Sequence, residues 1–228
     1  MRRFPCASLP EVGATFTLPE DVLRHAVRVL RLELDTPFRL FDGAGREVVV
    51  RRIDETRAEV LEALVVDDAT RRRAVHLWMA LLKGPAMDDA LRMATEAGAT
   101  SIQPLHTART VPDGDRRDRW LRILEQAARQ SGRTDVPTLH PPRPLHDAVR
   151  DLPSDTVGVY ADAAGRPDAL DGVGTRAVVV AVGPEGGWAP KERELLDAAG
   201  FRTLRLGPWT LRACTAAPVA VAAAIEAG

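Results

Sequence analysis

The stretch Ala177–Gly187, AVVVAVGPEGG, decides the reading of the fold. An apolar, mostly β-branched run from Ala177 to Val182 stops abruptly at Gly183, Pro184, Glu185, Gly186 and Gly187. A short continuous apolar run closed by turn residues is the pattern of a buried parallel strand. A glycine-rich loop beyond the carboxyl end of such a strand is where open α/β sheets bind ligands. Without a Cβ, its backbone N–H and C=O groups can approach a ligand closely. The glycines alone are consistent both with that role and with a tight strand-to-helix turn.

A second stretch repeats the arrangement. In Leu204–Ala217, LRLGPWTLRACTAA, a strand at Leu204–Leu206 leads to a turn at Gly207–Pro208 and then to an alanine-rich helix over Leu211–Ala227. Two successive strand–turn–helix units with glycine at each strand end point to one shared pocket. The dinucleotide fingerprint GxGxxG and the P-loop GxxxxGK[ST] are both absent, and no lysine follows VGPEGG. The pocket is glycine-lined but of another kind.

Working outward, 228 residues suffice for one large or two small domains. A net charge of −1 supplies no global field for nucleic acid, although a local basic patch remains open. Lys83 and Lys191 are the only lysines, so the basic residues are overwhelmingly arginine. Arginine recognises phosphate through a bidentate fork, but genomic base composition yields the same bias. Cys6 and Cys214 form no disulfide framework and suit a reducing compartment. No segment has the apolar length of a membrane span, and MRRFPCASLPE lacks a signal peptide's apolar core. A cytoplasmic location is expected. His76, His106, His140 and His146 have no metal-ligand spacing with cysteine, so no metal is expected.

Residues 1–70 read as a small β-rich module. Pro19-Glu20-Asp21 opens a helix whose apolar face carries Val22, Ala26, Val29 and Leu30, with Arg24, His25, Arg28 and Arg31 mostly off it. Strands are expected at Phe38–Phe41, Glu47–Ile53 and Ala58–Val66, with a turn at Asp42-Gly43-Ala44-Gly45. Short strands with tight turns favour a small barrel. The charged run Asp67–Arg73, DDATRRR, reads as the linker. From Ala74, strands and helices alternate, which points to a mostly parallel sheet. Strands are expected at His76–Leu82, Ile102–Leu105 and Val157–Tyr160, and helices at Met87–Gly98, Asp118–Gln130 and Leu145–Leu152. A polar loop, ADAAGRPDALDG, follows Tyr160.

VGPEGGW, the following helix with Glu192 and Glu194, LRLG and LRACTAA together resemble the RsmE family of ribosomal RNA uridine-N3 methyltransferases. The resemblance continues through ALLKG, TEAGATSIQPLHTAR and AARQSGR, and back to HAVRVLRL and FDGAGREV. It covers nearly the whole chain and is weakest over residues 143–175. It implies an α/β protein with a C-terminal SPOUT trefoil-knotted methyltransferase domain over residues 71–228 and a small N-terminal PUA-like β-barrel domain for RNA over residues 1–70. Local patterning alone rejects a knot.

The implied activity is S-adenosyl-L-methionine-dependent methylation of N3 of a uridine in 16S ribosomal RNA of the small (30S) subunit, by a homodimer. The implied cofactor pocket comprises Val182, Gly183, Pro184, Glu185, Gly186, Gly187, Leu206, Gly207, Leu211 and Arg212. Arg212 is the implied catalytic residue, since a guanidinium can stabilise uridine deprotonated at N3; its structural alternative is a carboxylate partner inside the dimer. Glu185 has three readings: ribose ligand, loop support or helix cap. Arg28 and Arg31 are candidates for RNA phosphate contacts, and Arg109, Gln130, Ser131 and Arg133 for binding RNA or shaping the pocket. Ser131-Gly132 is alternatively a helix cap beside a surface arginine. Trp188 and Trp209 suit a pocket cover, an interface or the core. The family usually has glutamate where this chain has Cys214. An impaired RNA-binding protein, or a SPOUT methyltransferase with another RNA target, therefore remains as an alternative.

Overall fold

A computed structural model of the chain describes residues 1–43, 45–64, 73–110 and 116–227. It divides into two compact units, Met1–Asp68 with Ala128–Val136, and Ala69–Ala127 with Pro137–Gly228. The expected linker at residues 67–73 lies outside the described residues apart from Arg73, as does Ala44 of the expected turn.

The first unit contains β1 (Arg3–Pro5), β2 (Thr15–Thr17), α1 (Glu20–Leu23), a π-helical segment (Arg24–Val29), β3 (Pro37–Phe41), β4 (Glu47–Arg52) and β5 (Arg57–Leu64). The strands form one mixed sheet in the order β1-β3-β4-β5-β2. Only the β1–β3 pair is parallel among them. Alternation along β3 turns Phe38 and Leu40 inward, where they join Phe4, Leu18, Val22, Ala26, Val50 and Val60 in one core.

The helix from Pro19 is not a continuous α-helix, because α1 passes into the π-helical segment after Leu23. The Leu30 N–H donates to the His25 carbonyl at 3.0 Å, five residues back. The wider turn shifts the helical phase. Val22 and Ala26 stay buried, but Val29 is turned out and is 61% exposed. The segment ends at Arg31 in the left-handed region, φ 52°.

The second unit contains β6 (Val75–Ala80), α2 (Pro85–Glu96), β7 (Ser101–His106), α3 (Arg117–Ser131), β8 (Thr138–Leu139), β9 (Arg143–Pro144), α4 (Leu145–Arg150), β10 (Thr156–Arg166), β11 (Ala177–Val182), α5 (Pro190–Ala198), β12 (Arg202–Leu204) and α6 (Ala213–Glu226). The division between units falls inside α3, after Ala127. The sheet order is β12-β10-β11-β6-β7-β8, with β9 also on β7. Every recorded pairing in this sheet is parallel. The apolar run Val178–Val182 is buried throughout, as a strand covered on both faces requires. Val179 and Ala181 join Trp78, Leu105, Tyr160, Trp188, Leu196 and Phe201 in one cluster. Strand alternation points Val178, Val180 and Val182 to the opposite face.

Helix α6 packs along β6 and β11 and against α2. Its buried residues are almost all alanine: Ala213, Ala216, Ala217, Ala220 and Ala224, with Val221. Small side chains allow this close approach. A Cβ on Gly98, just after α2, would lie 2.6 Å from Ile225 Cδ1.

Two strands run differently from their sequence signal. β10 does not stop at Tyr160 but continues to Arg166, through residues whose polarity reads as a loop. A Cβ on Gly165 would meet the backbone of Thr203 and Leu204 at 2.8 Å, so the missing side chain is what admits the neighbouring strand. β12 ends at Leu204, where the sequence places a strand start, which frees Arg205 and Leu206 for the following loop.

Candidate functional site

The loop after β11 is held from several directions. The Gly187 N–H donates to the Pro184 carbonyl at 2.8 Å, and Gly187 adopts φ +69°, the left-handed region that favours glycine. Trp188 is 1% exposed. Its indole Nε1–H donates to the Ala161 carbonyl at 3.2 Å, tying this loop to the middle of β10. Glu192, in the first turn of α5, accepts the Ala189 N–H at 2.8 Å with one oxygen and the Ala108 N–H at 2.7 Å with the other. The Arg109 guanidinium donates to the Gly186 carbonyl. The HTAR stretch is thus brought onto the VGPEGG loop.

Beside this loop lies a cavity of about 440 Å³, walled by Ala161–Ala163 of β10, where its pairing with β11 ends, by the segments that follow β11 and β12, and by residues of α5 and α6. Of the sequence-derived pocket residues, Val182, Gly183, Pro184, Glu185, Gly187, Leu206, Gly207, Leu211 and Arg212 line it. Gly186 is not in the lining, and its carbonyl instead holds Arg109. The location follows the rule that ligands bind outside the carboxyl ends of parallel strands.

Trp188 and Trp209, read from the sequence as pocket cover, interface or core, both line it, whereas Asp162, Arg193, Arg205 and Thr210 were not legible in the sequence. Asp162 is in the part of β10 that reads as a polar loop. Its Oδ2 pairs with Arg193 Nε at 3.0 Å, and its Oδ1 accepts the Ala164 N–H at 2.9 Å. Glu185, Arg205 and Arg212 are exposed and form no ion pair with any described residue. Next to the wall, the buried Tyr160 hydroxyl donates to Asp197 at 2.9 Å, and burial raises its pKa, keeping the phenol protonated as a donor.

Arg212 sits at the start of α6. Its carbonyl accepts the Thr215 and Ala216 N–H groups at 2.9 and 2.8 Å, which fixes its backbone while its side chain stays exposed. Ala213 and Ala216, three residues apart on one helical face, line the cavity. Cys214 is half-buried and is not part of the lining.

The remaining arginines are in the first unit. Arg28 and Arg31 are exposed at the end of the π-helical segment. Arg133 is half-buried and forks onto Asp135, with Nε–Oδ1 at 3.3 Å and Nη2–Oδ2 at 2.8 Å. Gln130 and Ser131 are exposed, and the Ser131 hydroxyl donates to the Ala128 carbonyl at 3.4 Å. Among the described residues, no group of three or more His, Cys, Asp or Glu side chains is placed to hold a metal ion. Among them too, no helix is long and apolar enough to cross a membrane.

The family described as RNA methyltransferase domain matches residues 70–225. Ribosomal RNA small subunit methyltransferase E of Synechocystis sp. is 34% identical over 92% of this chain and 73% of its own length. The protein of the same description from Mycobacterium bovis is 35% identical over 95% of this chain and 88% of its own. The chain belongs to the ribosomal RNA small subunit methyltransferase E family. A crystal structure of a methyltransferase E from Neisseria gonorrhoeae bound to S-adenosyl methionine matches this fold with a TM-score of 0.86 at 31% identity, covering 98% of this chain and 96% of that one. The resemblance read from VGPEGGW and LRACTAA therefore holds over nearly the full length, and the α/β architecture is that of the S-adenosyl methionine-bound methyltransferase E structure.

Proposed function

We propose that this methyltransferase E family member transfers the methyl group of S-adenosyl-L-methionine to N3 of a specific uridine in 16S ribosomal RNA of the small subunit. The observation that carries the reading is the cavity walled by β10 and the segments that follow β11 and β12, with the uncommitted guanidinium of Arg212 on its wall. About 440 Å³ is the size of a pocket for a cofactor-sized ligand. Its wall is rich in backbone and small residues, which suits an adenosine recognised through main-chain hydrogen bonds. The bound cofactor supplies an activated methyl on a sulfonium. Val182–Gly187, Leu206, Gly207, Leu211 and Arg212 would hold it, with Gly186 acting through its grip on Arg109 rather than by direct contact.

The chain's own task is to position and to stabilise charge. N3 lies on the Watson–Crick edge, so the base must be unpaired or turned out of its helix. Loss of the N3 proton leaves negative charge on N3, O2 and O4. Arg212, exposed and unpaired among the described residues, is the group assigned to it. Cys214 is outside the cavity lining, so the cofactor pocket does not depend on it; the transfer assay below decides between an active and an impaired enzyme.

The finer architecture belongs to the same proposal. Residues 1–70 form a PUA-like RNA-binding barrel and residues 71–228 a SPOUT domain whose C-terminal helix closes a trefoil knot. The protein works as a cytoplasmic homodimer without metal. Arg28 and Arg31, both exposed, contact RNA phosphates, which position the substrate without reading sequence, whereas Arg109 and Arg133 must first release Gly186 and Asp135 to do so. The test is to incubate the protein and cofactor with small subunits that lack the modification, digest the RNA and analyse its nucleosides. 3-Methyluridine is the expected product. Methyl on another base, or on transfer RNA alone, would reassign the substrate.

A further inference from the structure

The chain has four tryptophans. Trp78, Trp120 and Trp188 are 5%, 4% and 1% exposed, whereas Trp209 is 82% exposed. Trp209 nevertheless belongs to the cavity lining, with most of its surface in solvent. It makes no ring contact with any described residue. An indole left in water forgoes the burial that an aromatic ring ordinarily gains.

The charge around it narrows the choice of occupant. Arg193, Arg205 and Arg212 line the same cavity against the carboxylates of Asp162 and Glu185. Arg193 is committed to Asp162, which leaves Arg205 and Arg212 without ion partners among the described residues. A flat π surface flanked in sequence by two uncommitted guanidiniums fits a ligand that is flat and anionic, a nucleobase on its phosphate backbone. The cofactor and a second copy of this chain are the other occupants, and the test below separates them from a nucleobase.

We propose that Trp209 stacks on the target uracil ring of the RNA substrate and holds the base at the cavity mouth, with Arg205 taking the adjoining phosphate. This rests on the methyl-transfer reading of the same cavity. It assigns substrate positioning to the loop between β12 and α6, beyond the cofactor contacts of that loop.

The buried state of the other three tryptophans makes Trp209 the solvent-accessible fluorophore. The test compares the intact chain with Trp209→Ala and Trp209→Phe. Added oligouridylate should quench the exposed emission of the intact chain and leave Trp209→Ala emission unchanged. With unmodified small subunits as substrate, Trp209→Ala should raise KM about ten- to one-hundred-fold, since one stacked base is worth that factor. The cofactor Kd should not move, and Trp209→Phe should recover most of the loss. Three results would overturn the assignment. Quenching by S-adenosylmethionine alone, with a weakened cofactor Kd in Trp209→Ala, would make the ring a cofactor cover. Emission that shifts on dilution, with a monomeric Trp209→Ala, would make it a subunit contact. Equal KM for all three proteins would leave it without a role in substrate binding. Absence of transfer by the intact chain would remove both this proposal and the reading beneath it, whereas transfer that is indifferent to Trp209 removes the stacking alone.

Discussion

The Trp188 indole lies 3.1 Å from the position a Cβ would take on Gly183. The ring cannot easily withdraw, because it is buried and its Nε1–H is bonded to Ala161. Gly183→Ala should therefore push the loop outward into the cavity. The expected cost is about 1–3 kcal/mol of stability, typical of overpacking, together with weaker cofactor binding. Denaturant unfolding and calorimetric titration of the same variant check both.

Glu192 joins two loops by accepting one backbone N–H from each, Ala189 and Ala108. Glu192→Ala leaves both donors without this acceptor and should cost about 1–3 kcal/mol. Glu192→Gln keeps one accepting oxygen and should fall between the two. Urea unfolding midpoints of the three proteins rank them.

Arg212 is exposed, so its removal should leave stability within about 0.5 kcal/mol. Arg212→Ala should lower the methyl-transfer rate about 10²–10³-fold, the scale of losing one group that stabilises developing negative charge. Arg212→Lys keeps the charge and loses the planar fork, so only part of the rate should return. Single-turnover transfer at saturating cofactor measures this. Cys214→Ser, outside the cavity lining, should change that rate little.

The sequence carried the parallel sheet and the two glycine-ended strands in local pattern, and the family resemblance implied the individual pocket residues. The buried run Val178–Val182 and the glycines that end it are contiguous, and nine of the ten sequence-derived pocket residues line the cavity. The third wall was illegible because Ala161–Arg166 is polar along a strand, and the close packing that makes it a strand is visible only when Gly165 meets Thr203 and Leu204. Val29 was misplaced because a π-helical turn breaks the 3.6-residue period that assigns faces. Arg133 gave no sign that Asp135 occupies its fork, since a salt bridge two residues away depends on backbone geometry rather than spacing.

His76 accepts or shares a proton with Ser101, Nδ1 to Oγ at 2.8 Å, and its pKa is lowered, first by burial and then by His140 nearby. A lowered folded value means the neutral form is favoured in the native state. Its stabilisation is present in full above the unfolded value of about 6.5 and is lost as pH falls below it toward the folded value. The thermal midpoint should drop between pH 7.5 and pH 5, and His76→Gln should flatten that dependence. A titration of the imidazole resonance by NMR should show a midpoint below that of a free histidine.

The central claim, that the cavity beside VGPEGG is the cofactor site, is tested most directly by calorimetric titration of S-adenosylmethionine into the intact chain and into Ala216→Phe. Ala216 lines the cavity from the face of α6, and a phenyl ring there would occupy the ligand's space. The account predicts one cofactor bound per chain in the intact protein and none in a variant that retains its helical circular dichroism. Equal affinity in both proteins, or no binding by the intact chain, would contradict it.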